Sequence, residues 1–255
     1  MDYTEFTKWA CRDLKIDLTA YKEEQLERRL KGLLTRKKLN NYAELKRLLT
    51  IDLNERKGFL EFITINVTEF FRNPELFMEF KDVVKNDLSK NNRGLKIWSA
   101  ACSNGSEPYT IGMLLKEISP NSKHDILATD IDPAILAKAK SGEYTELEVK
   151  NVDNSYKSKY FVKEDNKCKV KTSITSMVRF KQHDLISDTY ESNLDIIVCR
   201  NVVIYFKNET KDKIFDKFSK SLKSGGLLFI GATESIYNYK AFGFEKVTTF
   251  IYRKI

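Results

Sequence analysis

The chain has 255 residues, of which 42% are hydrophobic and 31% charged, so it can form one large α/β domain or a small domain beside one of ordinary size. Lys and Arg (44) exceed Asp and Glu (36), which gives a net charge of +8. This balance favours an acidic partner, namely nucleic acid, anionic lipid or a carboxylate-rich protein surface, although a surface of solvated lysines gives the same sign.

Cysteines, histidines and apolar runs exclude several classes of protein. The 4 cysteines are widely separated and form no C-x-x-C pair, and only 2 histidines accompany them. We therefore expect neither disulfides nor a metal site. The longest apolar runs have the length of strands, and the first residues show no basic and then apolar signal pattern. We predict a cytoplasmic protein with no segment inserted in a membrane.

Residues 1–66 carry apolar side chains at helical spacing and predict a small all-helical N-terminal domain. The apolar positions are Leu26, Leu30, Leu33, Leu34, Leu45, Leu48, Leu49, Phe59, Phe62 and Ile63. The helix predicted from about Tyr21 to Lys38 is basic on the face away from its leucines, with cations that include Arg28, Arg29, Arg36 and Lys37. Such a face is usually the solvated side of a helix, and the alternative is a docking surface for an acidic partner.

From about residue 95 the pattern changes to alternating strands and helices, which is typical of a parallel sheet. Residues 67–94 are interpreted as a linker with a connecting helix, and residues 95–255 as an α/β domain. The predicted elements are Leu95–Ser99, Pro108–Ile118, Asp125–Thr129, Pro133–Lys140, Val178–Phe180, Asp195–Cys199, Asn208–Leu222, a turn at Ser224–Gly226, Leu227–Gly231 and a strand pair within Phe242–Arg253.

The alternation is interrupted at about residues 144–177. Two short strand patterns, Tyr160–Lys163 and Cys168–Lys171, flank the polar segment Glu164–Lys167. This arrangement predicts a small antiparallel hairpin inserted into the α/β domain.

The most informative segment is Ile97–Tyr109, where a strand runs into a turn of small residues and then into a helix. Such a turn can cradle a nucleotide-type cofactor. It has one glycine, Gly105, where dinucleotide folds have G-x-G-x-x-G, and it carries an acid, Glu107, where the helix begins. We therefore predict a cofactor without phosphates. S-adenosylmethionine fits, because a carboxylate can offset its ammonium and sulfonium while amides of the turn hold its carboxylate.

Polar residues also follow the next two strands. Asp130, at the tip of the second strand, is placed to accept hydrogen bonds from ribose hydroxyls. Asp132 is placed to cap the helix that begins at Pro133. After the third strand, Asp184 or an adjacent backbone amide is a candidate to read the adenine edge, while for His183 a structural or surface role is favoured over a catalytic one.

Two further segments place unusual residues next to a predicted domain junction and a predicted strand end. Arg72 directly follows an aromatic pair near the junction of the helical domain and the α/β domain. Tyr205 lies just past the strand that ends at Cys199, at the carboxyl edge where open sheets hold their sites. Taken alone, Arg72 is interpreted as a partner in an interdomain salt bridge, and Tyr205 as a half-buried packing ring.

Several of these motifs occur together in one known family. They are Thr68–Arg72, Trp98–Tyr109, Ala128–Asp132, Cys199–Phe206 and Gly231–Ser235, in this order over nearly the whole chain. The chain resembles the chemotaxis receptor methyltransferase family, CheR. One departure is Ala232, where the family has a histidine after the glycine. The other is the glycine-free turn Glu164–Lys167: relatives that tether themselves to a receptor's C-terminal peptide typically have a longer, glycine-rich turn, which argues against tethering here.

The resemblance implies a Rossmann-like α/β methyltransferase domain with the antiparallel β insertion, preceded by the all-helical domain. It also implies transfer of a methyl group from S-adenosylmethionine to glutamate side chains on the cytoplasmic helical bundle of chemoreceptors. The products are glutamyl γ-methyl esters and S-adenosylhomocysteine. A glutamate is ionised at neutral pH, so this reaction needs alignment and removal of water rather than a strong general base.

Site residues follow by carry-over from the motifs. Arg72 and Tyr205 would orient the incoming carboxylate near the transferred methyl. The implied cofactor-binding residues are Thr68, Arg72, Ala100, Glu107, Asp130, Ile131, His183, Asp184, Arg200 and Asn201. The basic residues of the helical domain, Arg28, Arg29, Arg36 and Lys37, would meet the glutamate-rich receptor. The expected protein is a monomer that binds neither nucleic acid nor metal.

Two other functions stay open on the sequence alone. A nucleic-acid methyltransferase shares the cofactor fold and the positive charge, but it normally needs an aromatic–proline motif or a proline–cysteine pair, and neither is present. A non-catalytic domain that senses S-adenosylmethionine or S-adenosylhomocysteine is the second alternative. The presence of Arg72 and Tyr205 beside an intact cofactor turn argues against it.

Overall fold

The structure is a computed structural model that describes residues 1–87 and 93–255. Contacts divide it into two units, a helical unit of residues 1–65 with 202–214 and a sheet unit of residues 66–201 with 215–255. The predicted linker, residues 67–94, contains residues 88–92, which lie outside the described residues. Within the described ranges, no helix is long and apolar enough to cross a membrane.

The helical unit packs around the predicted apolar positions. Its helices are α1 (Tyr3–Trp9), α2 (Glu23–Lys37), α3 (Tyr42–Ile51) and α4 (Leu53–Thr64). Side chains of Asp2, Asn41 and Asp52 accept backbone N–H groups at the starts of α1, α3 and α4, which satisfies donors that a helix leaves unpaired. The buried cluster includes Leu26, Leu30, Leu33, Leu34, Leu45, Leu49, Phe59 and Ile63. The helical spacing read from the sequence is confirmed at these positions.

Helix α2 begins two residues later than predicted, at Glu23, because Tyr21 is extended. Tyr21 forms an isolated antiparallel bridge with Phe206. The backbone N–H of Lys22 donates to the carbonyl of Tyr205 over 2.9 Å, and that of Lys207 donates to the carbonyl of Ala20 over 2.9 Å. The residues before α2 are therefore paired with a segment far along the chain, which local periodicity does not reveal.

The sheet unit contains the predicted alternation of strands and helices. Its strands and those of the insertion are β1 (Lys96–Ala100), β2 (Asp125–Asp130), β3 (Glu143–Thr145), β4 (Phe161–Glu164), β5 (Lys167–Val170), β6 (Val178–Gln182), β7 (Leu194–Cys199), β8 (Leu222–Ile230), β9 (Phe244–Lys246) and β10 (Ile251–Lys254). The further helices are α5 (Pro74–Asp87), α6 (Ser106–Ile118), α7 (Pro133–Ser141), α8 (Asn154–Tyr160), α9 (Thr172–Thr175) and α10 (Asn208–Ser221). Each predicted strand and helix of this region is present, with small shifts at its ends.

Among the described residues, seven strands form one sheet in the order β6-β2-β1-β7-β8-β10-β9. Strands β6, β2, β1, β7 and β8 pair in parallel, whereas β10 pairs antiparallel with both β8 and β9. The chain runs from β1 to β2 on one side and later adds β7 on the other side of β1. Connections that leave β1 and β7 in opposite directions open a crevice at their carboxyl ends, where ligands of open α/β sheets bind.

The predicted hairpin insertion is confirmed and is larger than the sequence indicated. Strands β4 and β5 pair antiparallel, and β3 adds to the other edge of β5 to give the order β3-β5-β4. The short helices α8 and α9 flank the β4–β5 hairpin in sequence, and α8 follows β3. Asp153 caps α8 by accepting the backbone N–H of Ser155.

The predicted turn at Ser224–Gly226 is instead part of β8. The pairing of β7 with β8 shifts register between Leu194 and Ile196, which marks a bulge, and Gly225 has a φ of +79°. The register advances by two residues in β7 and by five in β8, from Leu222 to Leu227, so β8 carries three extra residues there. A left-handed conformation suits glycine. Ser224–Gly226 therefore lie in a bulge within β8, between residues that pair with β7.

Candidate active site

The turn after β1 is held in left-handed conformations. Ala101, Ser103 and Gly105 have φ values of 61°, 50° and 87°, of which the first two are unusual for residues with a Cβ. Gly105 is required for space as well, because a Cβ there would lie 2.9 Å from the Cβ of Ala139. The alternating conformations bring the chain from β1 into α6 within five residues and leave backbone amides at the start of the helix.

Asp130 ties this turn to the end of β2. Its Oδ2 accepts the backbone N–H of Ser103 over 2.8 Å, and its Oδ1 accepts that of Asp132 over 3.1 Å. Burial raises the pKa of Asp130, while the hydrogen bonds from backbone amides act in the opposite direction. Asp132 accepts the N–H groups of Ala134 and Ile135, so its predicted capping role is confirmed.

Glu107 and Arg200 form a buried ion pair at the carboxyl ends of β1 and β7. Glu107 Oε2 lies 3.7 Å from Arg200 Nη1, and the two side chains are 11% and 2% exposed. The hydroxyl of Ser99 donates to Glu107 Oε1 over 2.9 Å. Arg200 Nη2 donates to the carbonyl of Arg72 over 2.8 Å, so Arg200 also fixes the loop that precedes α5. Sequence reasoning identified both residues but not their pairing.

Glu234 is a site residue that sequence reasoning quoted within a motif without giving it a role. Its Oε2 accepts the backbone N–H of Asn201 over 2.9 Å and that of Gly231 over 2.7 Å. This links the ends of β7 and β8. The signal in the sequence was an acid three residues after Gly231, at the end of a predicted buried strand.

Arg72 adds a second cation to this cluster. It is half-buried and donates from Nη1 to the carbonyl of Val67 over 3.1 Å. Burial raises the pKa of Glu107, while Arg200 and Ser99 lower it, Glu234 raises it and Arg72 lowers it. The carboxyl groups of Glu107, Glu234 and Asp130 outnumber the two guanidinium groups, so the site favours a ligand with net positive charge.

Comparison with known proteins decides the family. Residues 66–251 match the family described as CheR methyltransferase, SAM binding domain, and residues 1–64 match the one described as CheR methyltransferase, all-alpha domain. The chain belongs to the CheR methyltransferase family. The resemblance and the fold class predicted from the motifs are therefore confirmed, as is S-adenosylmethionine as the cofactor of the sheet unit.

Full-length relatives agree with this family. A protein of Listeria monocytogenes named chemotaxis protein methyltransferase is 39% identical over 254 residues, which is 99% of this chain and 97% of that protein. A protein of the same name from Borreliella burgdorferi is 35% identical and covers 94% of this chain and 89% of its own length. Another from Vibrio parahaemolyticus is 32% identical, with coverage of 92% and 89%.

The CheR site has a donor set that fits S-adenosylmethionine. Within the described residues, three buried polar atoms near the carboxyl ends of the strands have no hydrogen-bond partner, namely Ser103 Oγ, Arg200 Nε and His183 Nδ1. A buried polar atom without a partner costs about 1–3 kcal/mol, which a ligand with donors and acceptors removes. The excess of acid suits the ammonium and sulfonium of this cofactor, and its carboxylate and hydroxyls are partners for the unpaired atoms.

Four more residues implied by the CheR motifs have the following surroundings. Ala100 ends β1 and is fully buried, and the Ile131 carbonyl accepts Gln182 Nε2 over 3.0 Å. Asn201 has a left-handed φ of 61° and its N–H is bound by Glu234. Thr68 is half-buried in the loop before α5.

His183 and Asp184 have local partners. The ring of His183 is buried and packs edge to face against Trp98, with centroids 5.3 Å apart, and its Nε2 hydrogen-bonds to the Thr189 carbonyl over 3.2 Å. The Asp184 carboxylate accepts the N–H of Ile186 over 2.8 Å and the hydroxyl of Ser187 over 2.9 Å. Both therefore shape the loop after β6, and Nδ1 of His183 is the atom with capacity left for a ligand.

The four predicted basic residues of α2 differ in exposure and in partners. Arg28 and Arg36 are exposed. Arg29 is half-buried and donates from both terminal nitrogens to the carbonyls of Phe62 and Ile63 at the end of α4. Lys37 pairs with Glu55 over 2.6 Å. The guanidinium carbon of Arg36 lies 5.3 Å from the centroid of the Phe62 ring, so three of the four cations have partners within the helical unit.

Proposed function

We propose that this chain transfers the methyl group of S-adenosylmethionine to glutamate side chains of the cytoplasmic helical bundle of chemoreceptors, forming γ-methyl esters in chemotaxis adaptation. The full-length relatives named chemotaxis protein methyltransferase support the chemotactic role. The proposal also puts the enzyme in the cytoplasm, where those bundles lie. The expectation of a monomer stays a prediction.

The choice of a glutamate as acceptor rests on the protonation of the cysteine thiols and of the histidine at the site. Burial raises the pKa of the thiols of Cys102 and Cys199 well above the usual value, so both are protonated at neutral pH. Burial also lowers the pKa of His183, which makes its imidazole a weak base. An acceptor that is already ionised needs neither an activated thiol nor an imidazole base, and a glutamate carboxylate meets that condition.

The proposed roles follow from charge and position. When bound, S-adenosylmethionine supplies an electrophilic methyl group on a sulfonium. Arg72 and Tyr205 orient the incoming carboxylate, and Arg72 must do so without binding it more tightly in the ground state than in the transition state. Alignment and exclusion of water are worth about 7–11 kcal/mol, which is enough for methyl transfer without acid–base catalysis. Within residues 1–87 and 93–255, no group of three or more His, Cys, Asp and Glu side chains is arranged to hold a metal ion.

The first prediction concerns the chemical bond formed. Incubation with S-adenosylmethionine carrying a labelled methyl group and receptor-containing membranes of the same cell should label the receptor band. Mild alkali should then release the label as volatile methanol, because a carboxyl ester hydrolyses under these conditions. Label that resists alkali would indicate methylation of a base or amine instead, and labelled nucleic acid would contradict the proposal outright.

The second prediction concerns the basic residues of α2. Replacing Arg28 and Arg36 with alanine should raise the KM for receptor membranes severalfold at low ionic strength, because methylatable bundles present rows of glutamates. The difference should shrink in 0.5 M salt, where the Debye length is on the order of only a few ångströms. Replacing the exposed Arg47 on α3 and the exposed Lys57 on α4 with alanine is the matched control, since it removes the same two charges from other helices. An unchanged KM at low salt in the double variant would remove this docking surface.

A further inference from the structure

Tyr205 lies in a segment that belongs to the helical unit. Residues 202–214 have their contacts with residues 1–65, although they are far from them in sequence. The carbonyl of Tyr205 accepts the N–H of Lys22 over 2.9 Å, and the N–H of Lys207 donates to Ala20 over 2.9 Å. The chain on both sides of the Tyr205–Phe206 peptide is thus fixed by the residues that lead into α2.

Side chains reinforce this pairing. The rings of Tyr21 and Phe206 meet edge to face, with centroids 5.0 Å apart and planes at 76°. Phe206 is buried, whereas Tyr205 is half-buried. Tyr205 ends a short 3-10 helix, Val203–Tyr205, and Phe206 is the extended residue that follows it. Holding the Phe206 ring, together with the two backbone hydrogen bonds, therefore fixes the backbone from which the Tyr205 side chain leaves.

Arg29 lies on α2, about two turns after the residues that pair with the Tyr205–Phe206 segment. Its guanidinium donates to the carbonyls of Phe62 and Ile63, and its central carbon lies 4.8 Å from the centroid of the Phe62 ring. Burial lowers the pKa of Arg29, while its electrostatic interactions with Tyr205 and Tyr21 act in the opposite direction. Arg29 therefore ties α2, whose leading residues pair with the Tyr205–Phe206 segment, to the end of α4.

We propose that Tyr21 and Arg29, within the helical unit, are positioning residues for Tyr205. This inference rests on the proposed role of Tyr205 in orienting the incoming carboxylate. It also gives Arg29 a role that differs from the receptor docking proposed for the exposed Arg28 and Arg36. Arg29 acts within the chain, so its contribution is insensitive to salt, whereas theirs is screened.

The experiment measures initial rates of methyl transfer to receptor membranes by the full chain, with both substrates saturating. Tyr205→Phe removes only the hydroxyl and should lower kcat. Arg29→Ala and Tyr21→Leu should each lower kcat about tenfold or more with an unchanged KM for S-adenosylmethionine, because small displacements of an orienting group have large effects on rate. Tyr21→Phe keeps the ring contact with Phe206 and should restore most of the rate.

A matched control removes an arginine of the same kind from the same unit. Arg56 is exposed and its Nη2 donates to the carbonyl of Asp13 over 2.8 Å, so Arg56→Ala loses one charge and one such hydrogen bond away from Tyr205. We expect wild-type kcat for this variant. Fluorescence of Trp9, which lies in the buried cluster of the helical unit, reports whether each variant is folded.

The decisive readout is the combination with Tyr205→Phe. If Tyr21 and Arg29 act through the Tyr205 hydroxyl, Tyr21→Leu and Arg29→Ala should cause almost no further loss in that background. Additive losses would overturn the inference, as would normal kcat in Arg29→Ala and Tyr21→Leu when Tyr205→Phe is slow. In both cases the proposed function stands. A normal kcat in Tyr205→Phe itself would instead refute the proposed role of Tyr205, and the inference with it.

Discussion

Arg200→Met lowers the free energy of unfolding of the sheet unit by about 3–5 kcal/mol at neutral pH, because it removes one partner of a buried ion pair. Methionine occupies part of the volume of the arginine stem but leaves the carboxylate of Glu107, which is 11% exposed, without that cation. The carbonyl of Arg72 and the Oδ1 of Asn73 also lose the donor Nη2. The loop before α5 is therefore released along with the charge pair.

The destabilisation should shrink as the pH falls. Burial raises the pKa of Glu107 already, and Arg200 is the strongest influence in the opposite direction, so the substitution raises this pKa further. A carboxyl whose pKa is higher in the folded state than in the unfolded state costs stability above its folded pKa, and the cost vanishes below its unfolded pKa of about 4.3. The deficit against the wild type is thus largest at neutral pH and smallest in acid.

Urea unfolding followed by tryptophan fluorescence measures this effect. The chain has 2 tryptophans, and in a Trp9→Phe background the signal comes from Trp98 in β1, which is 1% exposed. The double variant Arg200→Met/Glu107→Gln is the control, since it also removes the unpaired carboxylate of Glu107 and should recover part of the loss. A double variant no more stable than Arg200→Met would show that the unpaired carboxylate is not the cause.

The sequence predicted those parts of the fold that depend on local patterns. The turn from β1 into α6 was identified from small residues after an apolar strand, and Asp130 from its place at the tip of the next strand. Both positions agree with the structure because carboxyl ends of parallel strands meet at one edge of a sheet. Neither depends on knowing which strands are neighbours.

Features set by distant partners were missed. Tyr21 was placed in α2 because its side chain fits helical spacing, but pairing with Phe206 keeps it extended. Ser224–Gly226 has the composition of a turn, and it forms a bulge within β8 between residues that pair with β7. The three-residue strand β3 is too short for alternation to show, and its partner β5 lies more than twenty residues further along the chain.

The same limit applies to the site. Glu107 and Arg200 were each predicted to bind the cofactor, but their pairing is a tertiary contact between a helix start and a strand end. Glu234 was quoted in a motif, and its role of holding the N–H groups of Asn201 and Gly231 appears only once β7 and β8 are neighbours. Sequence patterns thus identified charged groups at the site and not the bonds that fix their orientation.

Arg72→Ala should lower kcat for receptor methylation by about 100-fold or more, the scale seen when one preorganised donor is removed from an active site. Arg72 is suited to this role because its position is fixed at two points. Its carbonyl binds Arg200 Nη2 and its Nη1 donates to the carbonyl of Val67, while the side chain stays half-buried. Arg72→Lys keeps the charge but loses the planar pair of donors that matches a carboxylate. Its kcat should therefore lie between that of the wild type and that of Arg72→Ala.

The control for Arg72 is Arg179, whose guanidinium binds Asp125 at 2.8 Å with both side chains largely exposed. Such a surface pair contributes little to stability, and Arg179→Ala should methylate receptors at the wild-type rate. The Trp98 transition establishes that Arg72→Ala is folded. A normal kcat in the folded variant would contradict the assignment. A raised KM for S-adenosylmethionine with normal kcat would place Arg72 in cofactor binding alone, because only interactions stronger in the transition state than in the ground state change kcat.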